Sequence, residues 1–258
     1  MILKDIIARL EQYAPLSFQD GFDNSGLQVG DPSAEVGAAL LCLDVTEAIV
    51  DEAIAKQCDL IVSHHPLLFH PLKHVTPATY QERCVIKAVC NGISIYSAHT
   101  SLDNAPGGVN DKIAEIIGLT GLEWLEAKPA GGGSGLIGNL PSPVDAEEFI
   151  RTLKSRFGVQ SIMFSEAAGR RVSRVALCGG AGSFLMDRAA AMGADCFITG
   201  EIAYHGFFGR EAAGEMVVVA LGHYQSEQYT IDLLEQILGE LPLRLTKTSI
   251  DTNPIHYE

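Results

Sequence analysis

The chain has 258 residues, 47% apolar and 19% charged, which is ordinary globular usage and excludes a disordered, fibrous or coiled-coil protein. That length makes one large domain or two modest ones. Eighteen Lys and Arg against 32 Asp and Glu give a formal charge of −14. Nucleic acid and anionic lipid are held first by basic side chains, so the average surface disfavours both, and a nucleic-acid partner would need a locally basic pocket.

The N-terminal segment MILKDIIARLEQY carries Ile2, Leu3, Ile6, Ile7, Leu10 and Tyr13 at helical spacing. Asp5, Arg9 and Glu11 interrupt it, so it reads as an amphipathic first helix and not as a signal peptide. Residues 38–43 then read as a strand, 46–56 as a helix, 59–63 as a strand, 81–91 as a helix and 93–98 as a strand. A helix is expected at 110–117. The stretch from Pro129 to Pro143, rich in glycine and proline, reads as a linker or crossover. The second half repeats the alternation: helix 146–157, strand 174–178, helix 184–192, strands 196–199 and 217–221, and a last helix over 226–238.

Alternating strands and helices predict an α/β fold. Two lobes are expected, 1–128 and 129–258, with the C-terminal helix region packing back on the first. The longest apolar runs, such as 216–221, fall far short of the ~20 residues that span a bilayer, so no membrane partner is expected. Cysteines stand at 42, 58, 84, 90, 178 and 196 without C-x-x-C spacing and mostly inside apolar runs. They read as buried free thiols of a reducing, cytoplasmic compartment.

The two halves overlay. Residues 41–65 lie on 177–201 without gaps at an offset of 136, with identities at Leu41/Leu177, Cys42/Cys178, Asp51/Asp187, Ala53/Ala189, Ala55/Ala191 and Asp59/Asp195. Residues 92–103 lie on 216–227 at an offset of 124, which sets His99 on His223 and Asp103 on Glu227. A period this long means two related lobes, since solenoid repeats run ~20–50 residues.

Three strand ends carry the chemistry. Ser63-His64-His65-Pro66 follows an apolar strand, where open α/β sheets place their ligands. His99 with Asp103, and His223 with Glu227, follow two further strands, each His four residues before its carboxylate. Imidazole and carboxylate without thiolate suit Zn, Mn, Fe or Co in a non-structural site. The overlay also pairs His65 with Glu201, which would suit Glu201 to hold a ligand histidine in its tautomer, and sets His99 close to the metals as a hydrogen-bond partner of Asp103 or a proton carrier. Tyr204 and His205 are weaker candidates, and His70 and His74 read as ordinary loop residues. Gly133 to Gly138 matches G-x-G-x-x-G but lacks the strand-turn-helix setting of a dinucleotide site. Cys178-Gly-Gly-Ala-Gly-Ser183 is open to two readings, a phosphate-binding nest and a plain tight turn.

FDNSGLQVG at 22–30, SHHPLLF at 63–69, SAHTSLDNAPGGVND at 97–111, DCFITGEIAYH at 195–205 and GHYQSE at 222–227 together resemble the NIF-three-like family, the GTP cyclohydrolase 1 type 2 homologues. The resemblance runs over nearly the whole chain and matches the short bacterial form; Phe22 stands where the family usually has Trp. It implies two related α/β lobes with mixed sheets flanked by helices, and a dinuclear centre between them. It also implies a homohexameric toroid. Carried over by position, the ligands would be His64, His65, Asp103, His223 and Glu227. Glu227 would bridge two divalent ions, Zn, Fe or Mn; His64 and Asp103 would complete one sphere, and His65 and His223 the other. To this set the internal overlay adds His99 as the catalytic proton carrier. The implied activity is metal-dependent hydrolysis of a nucleotide-like or phosphorylated small molecule. The alternative is a non-catalytic metal-handling or ring-forming interaction protein.

Overall fold

Parallel strands covered on both faces read as unbroken apolar runs. The computed structural model, which describes residues 1–208, 216–256 and 258, places such runs at the centre of two sheets. The chain opens with α1 (Leu3–Tyr13), β1 (Gly26–Val29), β2 (Ala38–Cys42), α2 (Glu47–Ala55), β3 (Leu60–Ser63), α3 (Tyr80–Cys90) and β4 (Ser94–Ser97). It continues through α4 (His99–Asp103), α5 (Val109–Ile117), β5 (Thr120–Ala127), β6 (Gly133–Asp145), α6 (Ala146–Arg156), β7 (Met163–Phe164) and β8 (Arg171–Cys178). The last elements are α7 (Met186–Ala191), β9 (Cys196–Thr199), β10 (Val217–Ala220), α8 (His223–Glu227), α9 (Thr230–Leu238) and β11 (Arg244–Lys247).

One compact unit comprises 1–102 and 230–254. Its sheet has the order β1-β4-β3-β2-β11, parallel from β4 to β11, with β1 antiparallel at the edge. Thr46 and Thr79 start α2 and α3 by accepting the backbone N–H three residues on. Those helices bury Ile49, Val50, Cys84 and Ala88 against Leu40, Ile61 and Ile95. The second unit, 103–229 with 255–258, has the order β5-β6-β8-β9-β10-β7. Only β8, β9 and β10 run parallel there. Ile137, Ala176, Phe197 and Val218 pack under Leu185, Met186 and Ala189.

Both units are α/β with helix-flanked sheets, as the alternation predicts. The contacts divide the chain near 102/103 and not at 128/129, because β5 pairs with β6 and β6 with β8, while the C-terminal segment 230–254, with α9 and β11, belongs to the first unit. The stretch 129–143 is also not a linker: most of it is β6, paired to β5 on one side and β8 on the other. Its glycines are there for close approach. Gly135 has φ +63°, and a Cβ on it would lie 2.7 Å from Leu185 and 2.8 Å from the Leu177 carbonyl. The expected last helix is two, α8 and α9, and residues 182–185 form a 3-10 turn before α7. All six cysteines are free; five are buried, and Cys90 is exposed at the end of α3. Among the described residues no helix is long and apolar enough to cross a membrane.

Strand register corrects the second overlay by one residue. Cys42 pairs with Ser63 and Cys178 with Thr199, so the offset of 136 holds. Ser63 then pairs with Ser97, and Thr199 with Ala220; 220 − 97 gives 123, not 124. His99 is therefore equivalent to Gly222, and His223 to Thr100. His99 and Gly222 share a left-handed backbone, with φ of 36° and 99°.

Candidate metal centre

In the first unit β3 ends on Ser63, and the chain turns at once. His64 N–H donates to Cys42 O (3.2 Å), and His65 N–H to Leu43 O (2.9 Å). The turn puts two neighbouring imidazoles together, with ring centroids 4.8 Å apart, as two-fold strand alternation would not. His99, whose N–H donates to His64 O (2.9 Å), brings a third ring, 5.6 Å from His64 and 5.7 Å from His65. His64 is fully buried and His65 partly so.

Two of these rings are held by carboxylates that sequence reasoning missed. His65 Nδ1 donates to Asp44 Oδ1 (2.7 Å), and Asp44 Oδ2 accepts from the Thr252 hydroxyl (2.6 Å). Burial pushes the Asp44 pKa up, but the hydrogen bond and charge of His65, the Thr252 hydroxyl and the charge of His64 bring it below the usual range. His99 Nδ1 pairs with Asp23 Oδ1 and not with Asp103, one of the two roles expected for it, the other being a proton carrier. Asp23 also accepts from Thr100 N (3.1 Å), the Thr100 hydroxyl and the Ser25 hydroxyl (2.7 Å). Its burial, too, is outweighed by these partners, His99 first, and its pKa is strongly lowered. Asp44 had one signal, an acid at the very end of the apolar run 38–43; Asp23 lies 76 residues from its histidine and had none beyond its motif.

In the second unit α8 begins directly after β10. His223 and Glu227 stand one turn apart on it, with His223 Nε2 3.1 Å from Glu227 Oε2. Glu201, expected to hold a ligand histidine, accepts from His223 Nδ1 at 2.8 Å. Glu227 is buried, and its place depends on Gly180: a Cβ there would lie 2.3 Å from Glu227 Oε1 and 3.4 Å from His223 Cε1. Asp103 is the last residue of α4, at the unit boundary, and its carbonyl accepts from Asn110 Nδ2 (2.9 Å). His205 packs among Tyr204 and Phe208 instead, and His74 is exposed.

The 179–182 loop is a turn and not an anion nest. Gly179 N–H donates to Asn110 Oδ1 (2.9 Å), Gly180 N–H to Ser226 Oγ (3.0 Å) and Gly182 N–H to Thr199 Oγ1 (2.9 Å), so these donors are used internally.

His65 and His223 thus share one feature: Nδ1 lies against a carboxylate, Asp44 or Glu201, which orients the ring and makes Nε2 the nitrogen available to a metal, and on His223 that Nε2 already faces Glu227. Metal-ligating imidazoles have this arrangement, and the carboxylate raises their basicity. The residues present fit a divalent cation with nitrogen and oxygen donors.

Comparison with known proteins agrees with the motifs. The chain is 32% identical over 260 residues to a GTP cyclohydrolase 1 type 2 homolog of Clostridium acetobutylicum, covering 96% of this chain and 97% of that one. A crystal structure of a Staphylococcus aureus hypothetical protein superposes with a TM-score of 0.90 at 25% identity, over 100% of this chain and 99% of the other. Reduced HcgD from Methanocaldococcus jannaschii gives 0.80 at 27% identity, over 97% and 98%. A family model, Duf34/NIF3 (NGG1p interacting factor 3), matches residues 1–254, and the chain belongs to that family.

Proposed function

We propose that His64, His65, Asp103, His223 and Glu227 hold two divalent ions, Zn, Fe or Mn. We further propose that the protein is a metal-dependent hydrolase acting on a nucleotide-like or phosphorylated small molecule. The observation that carries this reading is the pair of carboxylate-held imidazoles, His65 on Asp44 at 2.7 Å and His223 on Glu201 at 2.8 Å. His64 and His65 in the first unit, and His223 with Glu227 in the second, supply nitrogen and oxygen donors of the kind that hold a divalent ion. The absence of thiolate from the set favours a site with open positions over a structural one. When bound, paired divalent ions supply Lewis acidity and activate water. The chain's own residues do the rest: Asp44 and Glu201 orient imidazoles, Gly180 gives the Glu227 carboxylate its space, and His99, oriented by Asp23, moves a proton at Nε2.

The nucleotide preference rests on relatives named as GTP cyclohydrolase 1 type 2 homologs. Buried thiols favour a reducing cytoplasm, and the charge of −14 argues against a nucleic-acid partner. A homohexameric ring is the assembly that goes with the family resemblance. Turnover of a nucleotide panel by metal-reconstituted protein tests the enzyme reading. His65→Ala and Glu227→Ala should lower it at least ~100-fold, as loss of a metal ligand removes the activating ion. If metal-depleted protein and both variants keep full cellular function, the hydrolase reading fails and a non-catalytic, ring-forming role replaces it.

A further inference from the structure

The FDNSGLQVG motif is only partly explained by the metal centre. Asp23 holds His99, Ser25 and the Asn24 N–H support Asp23, but the side chains of Phe22, Asn24 and Gln28 have partners elsewhere. Phe22 is 65% exposed and forms an edge-to-face pair with Phe69, itself 39% exposed, with ring centroids 6.3 Å apart. Phe69 stands perpendicular to His99, with centroids 5.9 Å apart. A continuous aromatic wall therefore runs outward from the histidine cluster.

This wall is held rigidly. Asn24 Nδ2 donates to Leu68 O (2.7 Å), Leu68 N–H donates to Gln28 Oε1 (3.2 Å), and Gln28 Nε2 donates back to Asn24 O (2.6 Å). These bonds lace the loop bearing Phe22 to the loop bearing Phe69. Two exposed phenyl rings fixed in this way are preorganised surface, which lowers the cost of binding. The patch is these two phenyl rings with His70 beside Phe69, centroids 4.9 Å apart, which is small for a protein interface and matched to one planar ring. Its continuity with His99 selects an occupant whose other end sits at the histidines.

We propose that Phe22 and Phe69 form a stacking platform for a planar heteroaromatic ring, carried by the same small molecule that the metal site takes. This rests on the metal reading above for the ligand's other end. Aromatic faces accept any heterocyclic base by stacking, a contact whose removal weakens binding about 5- to 150-fold per base.

Zinc-loaded protein titrated calorimetrically with guanosine 5′-monophosphate and with ribose 5-phosphate tests it. Wild type should bind the nucleotide at least about 5-fold tighter than the ribose phosphate. Phe22→Ala and Phe69→Ala should remove that advantage while ribose phosphate affinity and zinc content stay unchanged. Asn24→Ala should weaken the nucleotide by a smaller factor, and Phe22→Trp should retain it. Equal affinity of wild type for both probes, no binding of the nucleotide, or Phe22→Ala and Phe69→Ala variants that keep its full affinity would overturn the proposal. So would variants that change the oligomeric mass and leave nucleotide affinity intact, since the wall would then be a contact between copies. A wild type that takes up no zinc overturns the metal reading alone, and the same variants then read stacking on the metal-free protein.

Discussion

The two units share a frame and load it differently. Each contains three successive parallel strands, β2-β3-β4 in one and β8-β9-β10 in the other, with one antiparallel strand beyond the third, and the first adds β11 parallel to β2. In the first, the carboxylate Asp44 after β2 holds the imidazole His65 after β3. In the second, the carboxylate Glu201 after β9 holds the imidazole His223 after β10. The same relay has moved over by one strand. As a result, equivalent positions have different jobs: His65 offers a nitrogen where Glu201 orients one, and Asp44 is a carboxylate where Gly180 leaves room for the carboxylate of Glu227. A duplicated frame fixes where strand ends lie, and the side chains placed there are free to diverge into complementary halves.

The largest effect on this comparison should come from Gly180→Ala. It adds a Cβ 2.3 Å from Glu227 Oε1 at a residue with φ +58°, so the buried carboxylate must leave its place. A loss of about 1–3 kcal/mol in stability is expected, with metal affinity falling as well; thermal denaturation and metal titration would show both. Next come the two holders. Asp44→Asn and Glu201→Gln should each lower metal affinity about 10- to 100-fold. Asp44 is additionally fixed by Thr252, while Glu201 is the more exposed of the two, so Asp44→Asn should cost more. Equal losses would mean that the two relays are closer in kind than their surroundings suggest.

Outside the centre, Glu52 anchors the segment after β11 through Thr248 and Ser249. Burial raises its pKa, but hydrogen bonds from Lys56, Thr248 and Ser249 prevail and bring it down to about 2. A carboxylate whose folded pKa lies below its unfolded value of ~4.3 stabilises the fold above that pH and loses the contribution as pH falls toward 2. Solvent screening reduces what that shift is worth, so Glu52→Gln should cost about 1 kcal/mol near pH 7 and little near pH 2. Urea denaturation across that range would reveal a pH-independent difference if the account is wrong. The smallest effect concerns register. If His99 and Gly222 are equivalent left-handed positions, His99→Gly should be more stable than His99→Ala by about 1 kcal/mol; the reverse order would sink the equivalence.

Much of this was legible in the sequence. Buried parallel strands such as Leu60–Ser63 and Val217–Ala220 stand out as apolar runs, and the ungapped overlay of 41–65 on 177–201 points to Glu201. The second overlay slipped by one because the histidines attracted the alignment, while the hydrogen-bond ladder that sets register leaves no local mark. Strand β6 was hidden because Gly133, Gly135 and Gly138 are chosen for close packing and resemble a linker in composition. Asp23 and Thr252 were out of reach for another reason: their partners lie 76 and 208 residues away.

The proposed two-ion site is tested most directly by metal content per chain, by mass spectrometry of protein equilibrated with Zn, Fe or Mn and then desalted. Two ions per chain are predicted for wild type, with loss on His65→Ala, His223→Ala or Glu227→Ala, and retention on Phe22→Ala. Wild type that holds no stoichiometric metal, or ligand variants that bind as much as wild type, would contradict it.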